Sequence, residues 1–196
     1  MTDTSLGQDR GSAALDAEQQ AGKLTFSGLA RWVIIAFTLV AIGVAINHLF
    51  NLRIGGISFL EGMYLYILAG IFLSLTFITF RAYGPPSAVV PLYDWLLAAA
   101  TLVVCGFFVA TAGQSLDSGW EYAPPDTAVW ASIALYLLIL EGTRRAGGKI
   151  LFVIVVLFSL YPTFAEHVPD PLNGFTQPFT DVIPYFMISS EASFGI

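Results

Sequence analysis

The densest group of ionisable side chains in the sequence is Leu140-Glu141-Gly142-Thr143-Arg144-Arg145. Glu141 and Arg145 are four residues apart, the spacing at which side chains meet on a helix, so they suit an ion pair. Two guanidinium groups beside one carboxylate at an apolar boundary can do either of two things. They can hold a helix end in place, or they can grip a neighbouring helix or chain through the planar fork that arginine presents. Both uses are open from sequence, and Glu141, Arg144 and Arg145 are the candidate helix-pairing or docking residues.

The sequence offers little for other chemistry. His48 and His167 have no second His, Cys or carboxylate at metal-ligand spacing, so no metal site is expected. Cys105 is the one cysteine, which excludes an internal disulfide and a CxxC motif. It lies in the apolar run Leu102-Val103-Val104-Cys105-Gly106-Phe107 and reads as a small packing residue. There is no GxSxG elbow, no HExxH and no phosphate-binding glycine loop, so neither an enzyme nor a cofactor is expected. Basic residues number 8, against a net charge of −6, and form no patch for nucleic acid.

The elements that position these residues follow from composition. The chain is 56% hydrophobic and 11% charged, where soluble domains carry about 25% charged residues. The apolar residues come in blocks of the roughly 20 needed to cross about 30 Å of hydrocarbon. The expected fold is therefore all-α, a polytopic transmembrane helix bundle of about five spans (residues 28–166). A disordered cytoplasmic tail (residues 1–27) precedes it, and an interfacial or junction segment (residues 167–196) follows. Met1 to Gly22 is polar and has no aromatic residue. Asp3, Asp9, Asp16 and Glu18 occupy the place of a basic n-region, which argues against a signal peptide.

The expected spans run from about Leu29 to Phe50, Ile57 to Phe80, Tyr93 to Ala112, Asp126 to Leu140 and Lys149 to Phe164. Arg31, Trp32 and Trp95 are interface anchors. Ser58 and Glu61 have capping-box spacing, and Asp126 after Pro124-Pro125 reads as an N-cap. The loop Gly84-Pro85-Pro86 cannot continue a helix, and Gly113 to Ala123 reads as a polar loop. Glu61, Asp94, Asp126 and Arg81 all fall at span ends, where solvation or capping suffices. Gly62, Ala69 and Gly70 would permit close helix approach. Phe175 to Ile188 carries Pro178 and Pro184, too broken to span, and is expected at the interface or against a partner.

The basic residues set an orientation. Arg10, Lys23 and Arg31 precede the first span, Arg81 follows the second, and Arg144, Arg145 and Lys149 follow the fourth. With five spans these regions share one side, leaving Arg53 as the lone basic residue opposite. The positive-inside rule then puts the N-terminus in the cytoplasm and the C-terminus outside. A four-span alternative joins the fourth and fifth apolar runs into one bent or re-entrant unit.

Leu140-Glu141-Gly142-Thr143-Arg144-Arg145-Ala146-Gly147-Gly148, the apolar run after it, then Tyr161, Phe164 and His167-Val168-Pro169 resemble fused TRAP transporter permeases of the TAXI-associated kind. So does Val90-Pro91-Leu92-Tyr93-Asp94-Trp95-Leu96. The ending Ser189-Ser190-Glu191-Ala192-Ser193-Phe194-Gly195-Ile196 resembles the passage into the large membrane domain of such permeases, although there the glutamate is usually followed by Gly-Ile. The resemblance implies the small scaffold subunit or portion of a sodium-coupled importer of organic acids. Its implied partners are a large permease subunit or domain and a periplasmic binding protein, with membrane lipid around it. No ion or substrate residue is implied here, because those sites lie in the large part. The competing expectations are a stand-alone structural or assembly membrane protein and, from a third class, a membrane enzyme.

Overall fold

The computed structural model describes residues 28–53, 60–82 and 90–189. The expectations for residues 1–27, Ser58, the Gly84-Pro85-Pro86 loop and residues 190–196 with Glu191 lie outside the described residues. The described chain is all-helical: α1 Leu29–Leu49, α2 Glu61–Thr79, α3 Leu92–Asp117, α4 Asp126–Ala146, α5 Gly148–Leu160 and α6 Phe179–Ile188. Two 3-10 turns, Tyr161–Thr163 and Ala165–His167, follow α5. Helices α1 to α4 are long and apolar enough to cross a membrane, reaching roughly 28 to 39 Å at 1.5 Å per residue.

Several boundaries differ from expectation, each for a local reason. Helix α3 runs through Gly113-Gln114-Ser115-Leu116-Asp117, which the polar pattern assigns to a loop, because no proline interrupts it before Gly119. There φ is +63°, and Gly119 N–H and Trp120 N–H donate to the carbonyls of Leu116 and Ser115. These are the two bonds of a Schellman stop, and they need the left-handed residue that glycine supplies. Asp126 is the first residue of α4 and not its N-cap; Pro125 holds that position, and the carboxylate faces the helix dipole instead. Glu61 likewise opens α2 after an extended Leu60, without a side-chain cap bond.

Helix α4 does not stop near Leu140. It continues to Ala146, and the break comes at Gly148, where φ is +76°. Helix α5 then has only 13 residues, about 20 Å of helix, short of the roughly 30 Å of hydrocarbon. Pro162 stops it, since the ring removes a backbone donor. Among the described residues, four helices therefore have spanning length where about five were expected. The fourth and fifth apolar runs form a hairpin instead, tied by a Tyr136–Ser159 hydroxyl contact of 2.6 Å. The Phe175 to Ile188 region, too broken by proline to span, packs against this chain's own bundle. It folds as α6, whose Val182, Ile183, Pro184 and Met187 are buried, and the Tyr66 hydroxyl donates to Met187 O at 2.6 Å. Apolar contact with this chain's own bundle is what orders it, despite Pro184.

The core is a small-residue seam between α2 and α3. A Cβ on Gly70 would stand 3.0 Å from Cys105 Cβ, so the backbones there approach as closely as side chains allow. One turn on, Ser74 Oγ donates to Ala98 O across the seam at 3.1 Å. Ala98, Thr101 and Cys105 line the other side, all buried. In lipid, association comes from close packing and interhelical hydrogen bonds of this kind. Of the glycines and alanines singled out, Gly70 makes a close approach; among the described residues a Cβ on Gly62 would touch only its own helix's Tyr66. Gly142, not singled out for packing, seats Leu73 of α2. Helix α1 is held more loosely, with Ala30, Ala41 and Asn47 buried.

Contacts at both ends show that neighbouring helices alternate in direction. Ala30 of α1 packs in one cluster with Phe77 and Ile78 of α2, Ala98 of α3 and Leu138 of α4. At the opposite end, His48 stacks on Tyr64 with centroids 3.9 Å apart. The start of α1, the end of α2, the start of α3 and the end of α4 thus share one end of the bundle. That end carries Arg31, Arg81, Arg144, Arg145 and Lys149.

Gly70→Leu is expected to force α2 and α3 apart and to lower stability by about 1–3 kcal/mol, the usual penalty of overpacking. Ser132, by contrast, is a fully buried hydroxyl with no hydrogen-bond partner among the described residues, and Ser132→Ala is expected to hold or raise stability. Denaturation midpoints of both variants in detergent check the pair.

Candidate functional site

The end of α4 places Glu141, Arg144 and Arg145 on consecutive turns, because α4 stays helical to Ala146. Arg144 grips Glu141 with both fork positions, Nε to Oε2 at 2.8 Å and Nη2 to Oε1 at 2.7 Å. Arg145 Nε donates to the same Oε1 at 2.7 Å. The expected i,i+4 pair is therefore present, joined by an i,i+3 pair.

The third partner departs from expectation. Arg145 Nη1 lies 2.5 Å from Asp94 Oδ1, and the two side chains are 2% and 1% exposed. Asp94 is not a solvated or capping residue of a first turn; it is a buried counter-ion from a helix 51 residues away in sequence. Its position has a physical logic, since a carboxylate in the first turn of α3 meets the positive end of that helix dipole. The same Nη1 donates to Phe80 O at 3.2 Å. Phe80 caps α2, so its carbonyl is one of the orphan acceptors at a helix end. The guanidinium carbon also sits 5.0 Å from the Phe77 ring centroid and 5.9 Å from that of Tyr93, within cation–π range.

One guanidinium thus fastens the ends of three helices: α2 through Phe80, α3 through Asp94, and α4 through its own backbone. Two arginines and two carboxylates balance in charge. The donors are turned onto neighbouring groups of the same chain, so the network contains neither a poised nucleophile nor an activated acid–base pair. Its chemistry is positional. Glu141 is 29% exposed and Arg144 26%, which makes this the wetter edge of the network.

The remaining candidates do not join it. His48 stacks on Tyr64 at the opposite end. His167 Nδ1 lies 3.8 Å from Glu166 Oε1 at an exposed turn. Cys105 is buried in the α2–α3 seam. Among the described residues, no group of three His, Cys, Asp or Glu is placed to hold a metal. An open cleft of about 1000 Å³ lies at the end opposite the arginines, between the start of α4 and α6. Glu121, Asp126, Asp181, Trp130 and Tyr185 line it.

The Asp94 contact has a trace in the sequence. Two arginines and one glutamate leave one cation without a counter-charge, and Asp94 is the other carboxylate at the same end of the expected spans. No family model, curated protein or solved structure matches the chain.

Asp94→Asn is expected to lower stability by about 3–5 kcal/mol, because it leaves Arg145 charged and uncompensated out of water. Glu141→Gln is expected to lose no more than about 1 kcal/mol, as befits a partly exposed pair. Arg145→Lys is expected to behave like a loss, since an ammonium cannot reach Asp94, Glu141 and Phe80 O in that fork geometry. Chemical unfolding followed by tryptophan fluorescence checks the ranking.

Proposed function

We propose that the chain is the small scaffold subunit, or portion, of a sodium-coupled TRAP-type transporter that imports organic acids. The observation that carries this reading is the self-contained ion-pair network. Its charges bind helix ends of the same chain, and among the described residues the four spanning helices place no ion pair at mid-depth. A carrier core needs polar groups or broken helices near the midplane; a scaffold needs rigid helix ends. The sequence resemblance around Glu141–Gly148 and Val90–Leu96 supports the same reading and supplies the partner, a large permease.

In this reading the protein sits in a bacterial inner membrane with the arginine end in the cytoplasm. The gathering of Arg31, Arg81, Arg144, Arg145 and Lys149 at that end supports this orientation. The opposite end, with its acidic cleft, then faces the periplasm and the soluble binding protein. The described chain closes in that far half, where Met187 O accepts from Tyr66 near the start of α2.

Deletion of the gene is expected to abolish uptake of the organic acid while the large permease and binding protein are still produced. Unchanged uptake would favour a stand-alone structural protein. Asp117→Cys, in a Cys105→Ala background, is expected to react with an impermeant thiol reagent from the periplasm; reaction from the cytoplasm alone would reverse the orientation.

A further inference from the structure

Helix α4 is a ruler for depth. Tyr136 lies ten residues from both Asp126 and Ala146, at the middle of the span. Helix α5 leaves the arginine end beside it, and the Ser159 and Tyr136 hydroxyls meet at 2.6 Å. The 13 residues of α5 make about 20 Å of helix, so α5 covers the near half and a little more. Helix α6 takes up where α5 stops. Gln177 N–H donates to Pro162 O at 3.0 Å, so the chain between them leaves and returns at one level. The Phe179 ring then stands edge-on to that of Tyr136, with centroids 6.5 Å apart. From there α6 runs outward: Met187 O accepts from Tyr66, five residues past the far-end start of α2. Its 10 residues add about 15 Å. Together the two pieces reach about 35 Å, enough for a roughly 30 Å hydrocarbon layer.

The far-end cleft lies between α6 and the outer half of α4. Along α4 it is lined by Asp126, Val129, Trp130 and Ile133, a stripe about 10 Å deep. Across it stand Thr180, Asp181 and Tyr185 of α6. Asp181 is exposed and two residues from Phe179, so its carboxylate opens on the cleft near mid-depth. A carboxylate at that depth is paired with a charge or faces water. Among the described residues Asp181 has no ion pair, and neither have Glu121 and Asp126 at the outer edge of the cleft. Water therefore has to reach Asp181, and the open cleft is the route. Three carboxylates along low-dielectric walls draw cations and repel anions.

We propose that α5 and α6 are the two halves of one interrupted crossing, and that the cleft between α4 and α6 is a water-filled vestibule that admits cations from the far end to about half the depth of the membrane. The Gln177–Pro162 bond closes the break at its inner end, so the vestibule is blind. The proposal stands apart from the transporter reading, since it uses only the end at which each group lies.

Ile133→Cys and Thr180→Cys, one on each wall, test it in membrane vesicles of the full chain carrying Cys105→Ala. Asp117→Cys marks the far side, and Leu39→Cys, at the exposed middle of α1, marks lipid. Ile133→Cys and Thr180→Cys are expected to react with an impermeant methanethiosulfonate from the Asp117 side alone, and Leu39→Cys not at all. At both wall positions a cationic reagent is expected to outpace an anionic one by about tenfold or more, each rate divided by its rate with free thiol. Adding Asp126→Asn and Asp181→Asn is expected to bring that ratio most of the way to one while reaction persists. Wall positions as inert as Leu39→Cys would overturn the inference. So would equal normalised rates for the two reagents, or reaction from the arginine side alone. Reaction from both sides would reveal a through path and would overturn the proposed scaffold role as well.

Discussion

Holding a guanidinium and a carboxylate together out of water is expensive, and Arg145 and Asp94 do so with almost no exposure. The arrangement is tolerable only because every side of the guanidinium is occupied. Asp94 and Glu141 supply charge, Phe80 supplies an orphan carbonyl, and Phe77 and Tyr93 supply ring faces. Removing Asp94 would leave a charge that the surroundings cannot solvate. The rest of the bundle is constrained by this point. Helix α4 must stay helical to Ala146 to deliver Arg145, α3 must start at Leu92 to deliver Asp94, and α2 must end where Phe80 can be reached.

With three ends pinned, the spans can be smooth. The α2–α3 seam is closed by small residues and one interhelical hydrogen bond from Ser74, and Gly142 lets α4 settle over Leu73. None of these contacts needs a charge in the membrane interior. A bundle whose buried ion pair pins one end, and whose α2–α3 seam is closed by small residues, resists relative movement of α2, α3 and α4. Rigidity of that kind suits a fixed support better than a moving carrier.

The class of fold is legible in the sequence because apolar blocks of spanning length are hard to accommodate outside a bilayer. The Glu141–Arg145 pair is legible because it is local, four residues apart on one helix. Asp94 is harder to see, since its partner lies on another helix and no local spacing links them. At the end of α3, polar character misleads and the stop residue decides: Gly113 and Gln114 continue a helix, and Gly119 ends it. The fifth span fails on length. Pro162 closes α5 too early, and Ser159 ties it to Tyr136 across the hairpin that Gly148 turns. The last helix is hidden by Pro178 and Pro184, which describe local cost but say nothing of the burial of Val182 and Ile183 that offsets it.

The central claim is that Arg145 and Asp94 act as one unit that locks three helices together. A double-mutant cycle on Arg145→Met and Asp94→Leu, with unfolding measured in detergent, addresses it most directly. Each single change should be strongly destabilising, and the double change should recover most of the loss, giving a coupling of about 2 kcal/mol or more. Single effects that simply add, with a coupling below about 0.5 kcal/mol, would contradict the claim and remove the constraint from which the bundle's rigidity follows.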